Sequence, residues 1–258
     1  LRAGDAAPGA EDAVFKSMTR FPRRGRGTLA ERAAYDPEEV LENFSLYDDM
    51  RKDALVMEQL TSSPWIADVY QFCALASLSE YLPGDVAARV LPTGGAAGDA
   101  EDPTPVNAHI PPGEKLGMAL QFARALAAMH GHPAGVIANA DVQIGQFGRT
   151  RNGRIKLLDF NRAEVLLYEE ERERYCTFMN GVPPNGALRA PEEIIDAPLT
   201  EKIDVYALGN VLYSVLTGRE VHRGFSTRQA HRRLRRGETE ALDARYFAAR
   251  SPAEGVLA

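Results

Sequence analysis

One stretch constrains this chain more than any other: Gly153-Arg154-Ile155-Lys156-Leu157-Leu158-Asp159-Phe160-Asn161-Arg162-Ala163. Its apolar residues make short strands that end on an Asp-Phe dipeptide, so a carboxylate closes a buried run. Asp141 stands upstream, in Val136-Ile137-Ala138-Asn139-Ala140-Asp141-Val142, and Ala190-Pro191-Glu192 stands downstream. Any fold for the chain has to accommodate these three elements in this order.

At 258 residues the chain suffices for one large domain or two lobes. A net charge of −6 gives no support for a nucleic-acid surface. Cys73 and Cys176 are the only cysteines and lie far apart, which fits a reducing, intracellular setting better than a disulfide framework. No apolar run approaches the ~20 residues that span a bilayer, so no membrane segment is expected. The start at Leu1 reads as a fragment or processed piece.

Residues 13–18 suit a strand ended by Pro22, and 20–27 a basic, Gly-punctuated loop. A helix is expected from Asp36 as N-cap, with Pro37 at its first position and Pro64 closing it. Runs at 66–70 and 75–79 predict an antiparallel pair, and the Gly/Ala/Asp/Pro-rich segment 93–112 an exposed insertion loop. Helical periodicity marks 114–129 and 201–216, the second capped by Thr200 and stopped by Gly218. The basic string His231-Arg232-Arg233-Leu234-Arg235-Arg236 reads as a solvated helix face. His130 and His132 lack cysteines at metal spacing and read as a helix end and turn.

The longest ordered string is Leu188-Arg189-Ala190-Pro191-Glu192-Glu193, followed by Leu199-Thr200-Glu201-Lys202-Ile203-Asp204-Val205-Tyr206-Ala207-Leu208-Gly209. With Asp141 and Asp159-Phe160 it resembles the protein kinase superfamily, whose motifs include a catalytic-loop Asp, Asp-Phe-Gly and Ala-Pro-Glu. The pairing of Ala140-Asp141 with Gln146-Phe147, and then Asp159-Phe160-Asn161-Arg162, is similar to a divergent group from algae and related protists. The resemblance implies an α+β, bilobal protein-kinase-like fold: a small, partial, β-rich N-lobe at 13–80 and a mainly helical C-lobe at 81–258. It implies ATP and Mg2+ as cofactors, and a protein substrate or scaffold partner.

By the same resemblance, Asp141 orients the attacking hydroxyl and Asp159 holds magnesium, although Asp159 also reads as the cap of a turn. Lys16 is the phosphate-contacting lysine or a solvated strand-edge residue. Glu58 is its ion-pair partner or a solvent-facing helix residue. Glu80-Tyr81-Leu82 matches the hinge, which makes Glu80 and Leu82 nucleotide neighbours. Asp204 matches a buried carboxylate that holds the catalytic loop.

Several positions depart from the family. Gly4 and Gly9 do not form a Gly-rich phosphate loop before Lys16. Asn139-Ala140-Asp141 replaces His-Arg-Asp, and Gln143 stands where a lysine contacts the transferring phosphate, removing a charge from the catalytic site. Gln146 stands where an Asn holds the second magnesium, and its carbonyl keeps some capacity for that role. Asn161 replaces a glycine and tolerates positive φ. Glu192 lacks the arginine that the resemblance pairs with it. Two functions follow: a kinase acting on Ser/Thr or Tyr, or a pseudokinase serving as a nucleotide-binding or scaffolding module.

Overall fold

The computed structural model describes residues 12–17, 37–73, 76–91, 105–179, 186–240 and 242. The segment holding Gly4 and Gly9, the basic loop at 20–27, the Asp36 cap and the 93–104 part of the insertion lie outside the described residues. Helices and small antiparallel sheets make up the rest, an α+β arrangement.

Strand β1 (Ala13–Ser17) is followed by helix α1 (Pro37–Gln59) and by strands β2 (Val69–Cys73) and β3 (Ala76–Glu80). The sheet order is β1-β3-β2, with Lys16 opposite Ser77. The expected antiparallel pair is present, but its first strand begins at Val69 rather than Ile66. Ile66 is taken by a different partner: it bridges Leu157 in parallel, and the Ala67 N–H donates to the Leu157 carbonyl at 2.9 Å.

Beyond β3 come β4 (Gly84–Asp85), α2 (Val86–Val90) and α3 (Pro112–His130). Strand β5 (Val136–Ala138) then leads to β6 (Phe147–Arg149), β7 (Ile155–Leu157) and β8 (Glu164–Leu166). The hairpin strands β9 (Tyr168–Glu169) and β10 (Arg174–Tyr175) precede α4 (Pro191–Ile194), α5 (Lys202–Thr217) and α6 (Thr227–Arg235). Strands β4, β6 and β7 form a second sheet, and β5 pairs with β8. Among the described residues no helix is long and apolar enough to cross a membrane. Cys73 and Cys176 are free and exposed.

Helix α5 forms where its apolar spacing predicts, although its N-cap is Glu201 rather than Thr200, whose hydroxyl accepts only from the Lys202 N–H at 3.3 Å. It stops at Gly218, whose φ of 75° suits glycine and whose missing Cβ would lie 2.7 Å from the Asn107 backbone nitrogen. That contact marks where residues 105–111 depart from an exposed loop: Ala108, His109 and Pro111 are exposed, but two residues between Val106 and Pro111 turn inward. Asn107 is fully buried and Ile110 nearly so. The last carbonyls of any helix lack internal donors. Here Asn107 Nδ2 donates to the Val215 carbonyl at 2.9 Å, while Lys115 Nζ donates to the Leu216 carbonyl at 2.8 Å and to Asn107 Oδ1 at 2.7 Å. The buried ammonium also complements the negative end of the α5 dipole.

The principal core joins α1, α3 and α5 to β6 and β7, with Ile66, Phe122, Met129, Leu157, Phe160 and Val215 all sealed from solvent. The Phe122 and Phe147 rings lie 4.4 Å apart in a tilted pair. Each such side chain contributes about 1.5–3 kcal/mol of transfer free energy. Core packing fixes β7 against α3, and so fixes the point at which Asp159 emerges. The basic string on and after α6 is the solvated face expected, with Arg232, Arg235 and Arg236 exposed, while Arg233 stacks 4.5 Å over the Phe225 ring and Arg235 donates to the Ile194 carbonyl.

Candidate functional site

Two residues of the site hold left-handed backbone, Ala140 at φ 59° and Asp159 at φ 66°. For a non-glycine residue this costs roughly 1–2 kcal/mol, least for Asp and more for Ala. The surrounding side chains hold both turns in place. Asp204, 1 % exposed on α5, accepts from the Asn139 N–H at 2.7 Å and the Ala140 N–H at 2.9 Å. It also sits 3.0 Å from Nε2 of His130, the last residue of α3. The buried Asp204 carboxylate thus accepts from the backbone of the turn that leads into Asp141, as the sequence led one to expect.

Asn139, fully buried, links the two aspartates through their backbones. Its Nδ2 donates to the Asp159 carbonyl at 3.1 Å, and its Oδ1 accepts from the Asp141 N–H at 3.0 Å. An amide carries both a donor and an acceptor, so one side chain closes both contacts.

The carboxylates converge on one amide. Gln146, in the 3₁₀ turn Ile144–Gln146, lies with Nε2 3.4 Å from Asp141 Oδ2 and 3.3 Å from Asp159 Oδ2. Gln143 Nε2 donates to Asp141 Oδ2 at 3.3 Å. Asp159 Oδ1 is buried without a close donor; Lys16 Nζ stands 3.5 Å away. The structure therefore gathers Lys16, Asp141, Gln143, Gln146 and Asp159 into one site.

Glu58 is not part of it. The carboxylate that meets Lys16 is Asp53, with Oδ2 2.9 Å from Nζ. The reason is helical phase. Asp53, Met57 and Leu60 are buried on one face of α1 and its continuing turn, whereas Glu58 is exposed about 140° around the helix from Asp53. Asp53 Oδ1 also accepts from the Phe160 N–H at 2.7 Å, so one carboxylate ties β1 to the Asp-Phe turn. Burial alone would lower the Lys16 ammonium, but Asp53 and then Asp159 outweigh it and raise it above the usual lysine value.

The side chain of Glu80 is also committed elsewhere. Its Oε2 lies 2.6 Å from Lys156 Nζ and accepts from the Asp68 N–H at 3.2 Å, within an Asp68–Lys156–Glu80 cluster whose lysine is buried and whose carboxylates are partly exposed. Leu82 packs on Gly148, where an added Cβ would come within 2.6 Å of it.

Two contributors went unassigned in the sequence, Asp53 and Arg189. Arg189 NH2 donates to Asp141 Oδ1 at 2.7 Å and its NH1 to the Ala140 carbonyl at 2.9 Å. The signal for Arg189 was its place directly before Ala190-Pro191. For Asp53 it was a polar residue on the buried face of α1.

In front of Asp141 opens a cavity of about 350 Å³, lined by Asp141, Gln143, Arg189 and residues 220–225. Among the described residues, no group of three or more His, Cys, Asp or Glu is placed to hold a metal ion alone.

No family model matches the chain. Two proteins of Arabidopsis thaliana match part of it. LysM domain receptor-like kinase 3 is 33% identical over 103 residues, covering 40% of this chain and 15% of that protein. A G-type lectin S-receptor-like serine/threonine-protein kinase is 36% identical over 107 residues, covering 42% of this chain and 12% of that protein. The relationship is kinase-related and partial, and the chain spans a small fraction of either relative.

Proposed function

We propose that the chain is a protein-kinase-like domain of bilobal plan, with 13–80 as a partial small lobe and 81–258 as the larger one. In this reading it binds ATP with Mg2+ and transfers the γ-phosphoryl group to Ser/Thr or Tyr hydroxyls of a protein. One observation carries it: Asp204 and Asn139 hold Asp141 and Asp159 so that a single amide, Gln146 Nε2, touches both carboxylates, with Lys16 Nζ 3.5 Å from the other oxygen of Asp159. Phosphoryl transfer asks a protein for little more than a hydroxyl-orienting carboxylate, a metal-holding carboxylate and a phosphate-binding cation.

Asp159 and Gln146 are the residues that would hold the metal, Gln146 by offering Oε1 in place of Nε2. Their donor set fits: Asp159 Oδ1 is a buried oxygen met only by the Lys16 ammonium at 3.5 Å, and no complete protein cage is present among the described residues, as suits a hard cation that relies on phosphate oxygens. When bound, Mg2+ neutralises phosphate charge as a Lewis acid. Lys16, positioned by Asp53, contacts the α and β phosphates. Since the Glu80 carboxylate is bonded to Lys156, the hinge contributes through the Tyr81–Leu82 backbone and the Leu82 side chain.

The acceptor enters the cavity before Asp141. Its O–H bond breaks with the proton passing to Asp141, and its oxygen bonds to phosphorus. The bond from phosphorus to the bridging oxygen breaks, and ADP leaves with that electron pair.

The test is transfer from γ-labelled ATP to Ser/Thr and Tyr peptides, alongside ADP–Mg2+ binding by thermal shift. Asp159→Ala is expected to lower transfer by about 10²-fold or more. Transfer undiminished in Asp159→Ala sinks the reading. Nucleotide binding without any transfer by the wild type replaces it with a nucleotide-binding module.

A further inference from the structure

Charge on the transferring phosphoryl group has to be met by nearby cations, and Gln143 brings none to its side of Asp141. Two guanidinium groups lie near that carboxylate. Arg162 NH1 is 4.0 Å from Asp141 Oδ1 and its side chain is 33% exposed. Arg189 NH2 is 2.7 Å from the same oxygen and its side chain is 14% exposed. The shorter, drier contact carries the larger electrostatic effect.

Arg189 is also built in. Its NH1 donates to the Ala140 carbonyl at 2.9 Å and lies 3.7 Å from Glu193 Oε1. The Glu193 side chain is 4% exposed and is fixed in turn by the Ala190 N–H, which donates to Oε2 at 2.8 Å. A planar fork held at three points keeps its orientation at little further entropic cost. It lines the cavity in which an acceptor would meet Asp141.

We propose that Arg189, from the segment before α4, supplies the positive charge that Gln143 leaves missing, and keeps Asp141 aimed at the acceptor. This assignment rests on the phosphotransferase reading above. Arg189 exchanges no proton in the step. The acceptor proton still goes to Asp141 and the electron pair still leaves with ADP, while the guanidinium offsets charge on the transferring group.

The experiment uses the intact chain, γ-labelled ATP and a Ser/Thr peptide. It measures kcat and KM for ATP separately, together with affinity for ADP–Mg2+ with and without aluminium fluoride, a mimic of the group in flight. Arg189→Met is expected to lower kcat about 10²-fold, the usual loss of one electrostatic donor. KM for ATP should stay within about twofold, because the effect belongs to the transition state, and the tightening caused by fluoride should disappear. Adding Gln143→Lys to Arg189→Met should restore kcat at least tenfold, on the order of one regained charge contact.

Arg189→Lys and Arg189→Gln guard against a variant that does not fold: Lys should retain most transfer and Gln should lose it. Equal transfer by Lys and Gln overturns the assignment. So does unchanged kcat in Arg189→Met, or failure of Gln143→Lys to restore a folded Arg189→Met. A wild type without transfer overturns the phosphotransferase reading and this one with it. An active wild type with indifferent variants overturns the Arg189 assignment alone.

Discussion

Asp204→Ala removes the acceptor for two buried amides, and its cost can be worked from the contacts. Asn139 is fully buried and Ala140 is 4% exposed, so neither N–H finds water when the carboxylate is gone. Each orphaned amide costs about 1–3 kcal/mol, which puts the gross loss at about 2–6 kcal/mol. Release of Ala140 from its φ of 59° returns roughly 1 kcal/mol. The expected net destabilisation is therefore about 3 kcal/mol, a large share of the 5–15 kcal/mol typical of a folded domain. Urea unfolding reads it as a fall in midpoint of about 1–3 M at ordinary slopes. Asp204→Asn keeps one acceptor oxygen and should lose roughly half as much. Val205→Ala is the control: the next residue on α5 is 50% exposed, so its change should stay within about 0.5 kcal/mol. If Asp204→Ala unfolds within about 1 kcal/mol of the wild type, the two amide contacts are not what holds the loop, and the reasoning fails.

Asp53→Ala leaves the Phe160 N–H and Lys16 without their shared carboxylate and should cost about 2–4 kcal/mol by urea unfolding, whereas Glu58→Ala should stay within about 0.5 kcal/mol. The reverse order would restore Glu58 as the structural partner. Lys156→Met strands Asp68 and Glu80, which are partly exposed, so about 1–3 kcal/mol is expected rather than the full cost of breaking a buried pair. Burial alone would lower the Lys156 ammonium, but Glu80 and Asp68 outweigh it and raise it above the usual 10.5. Its contribution is then whole below pH 10.5 and is lost as pH climbs through the raised folded value. The stability gap between wild type and Lys156→Met should narrow above that pH, and a gap that widens there reverses the sign. Tyr206 and Tyr213, held neutral to higher pH by burial, titrate in both proteins and cancel in the difference.

Elements whose apolar residues recur with a clear period were legible in the sequence. Helices α3 and α5 lie where periodicity puts them, and Gly218 ends α5 because its backbone turns left-handed there. Asp204 was legible through its place in a long ordered string. Asp53 was not, because local pattern does not show which polar residue of a charged helix is buried. Leu55, Val56, Met57 and Leu60 cover a broad arc of α1 and its following turn. The phase is set by Lys16 and Phe160, partners far away in the chain. Asn107 misled for the same reason: a polar, turn-rich segment reads as exposed until α5 presents the carbonyls that it caps. Burial of an apolar side chain is written in its neighbours in sequence. Burial of a polar one is decided by a partner that the sequence does not point to.

The same distinction accounts for the substituted positions of the site. Asn139, Gln143 and Gln146 read as losses when each is compared with a charged or metal-binding counterpart. In place, each amide donates to a carboxylate or carbonyl of the site, and Asn139 also accepts. The amides close the network around Asp141 and Asp159 without adding charge. The charge comes from side chains outside the loop: Lys16 on β1 beside Asp159, and Arg189 before α4 beside Asp141. On the proposed reading, a substitution inside the loop is offset by position elsewhere, because Coulomb interaction depends on the distance between groups and not on the segment that supplies them. By that argument, counting retained motif residues underestimates what the site can do, and the placement of Lys16 and Arg189 is the better measure.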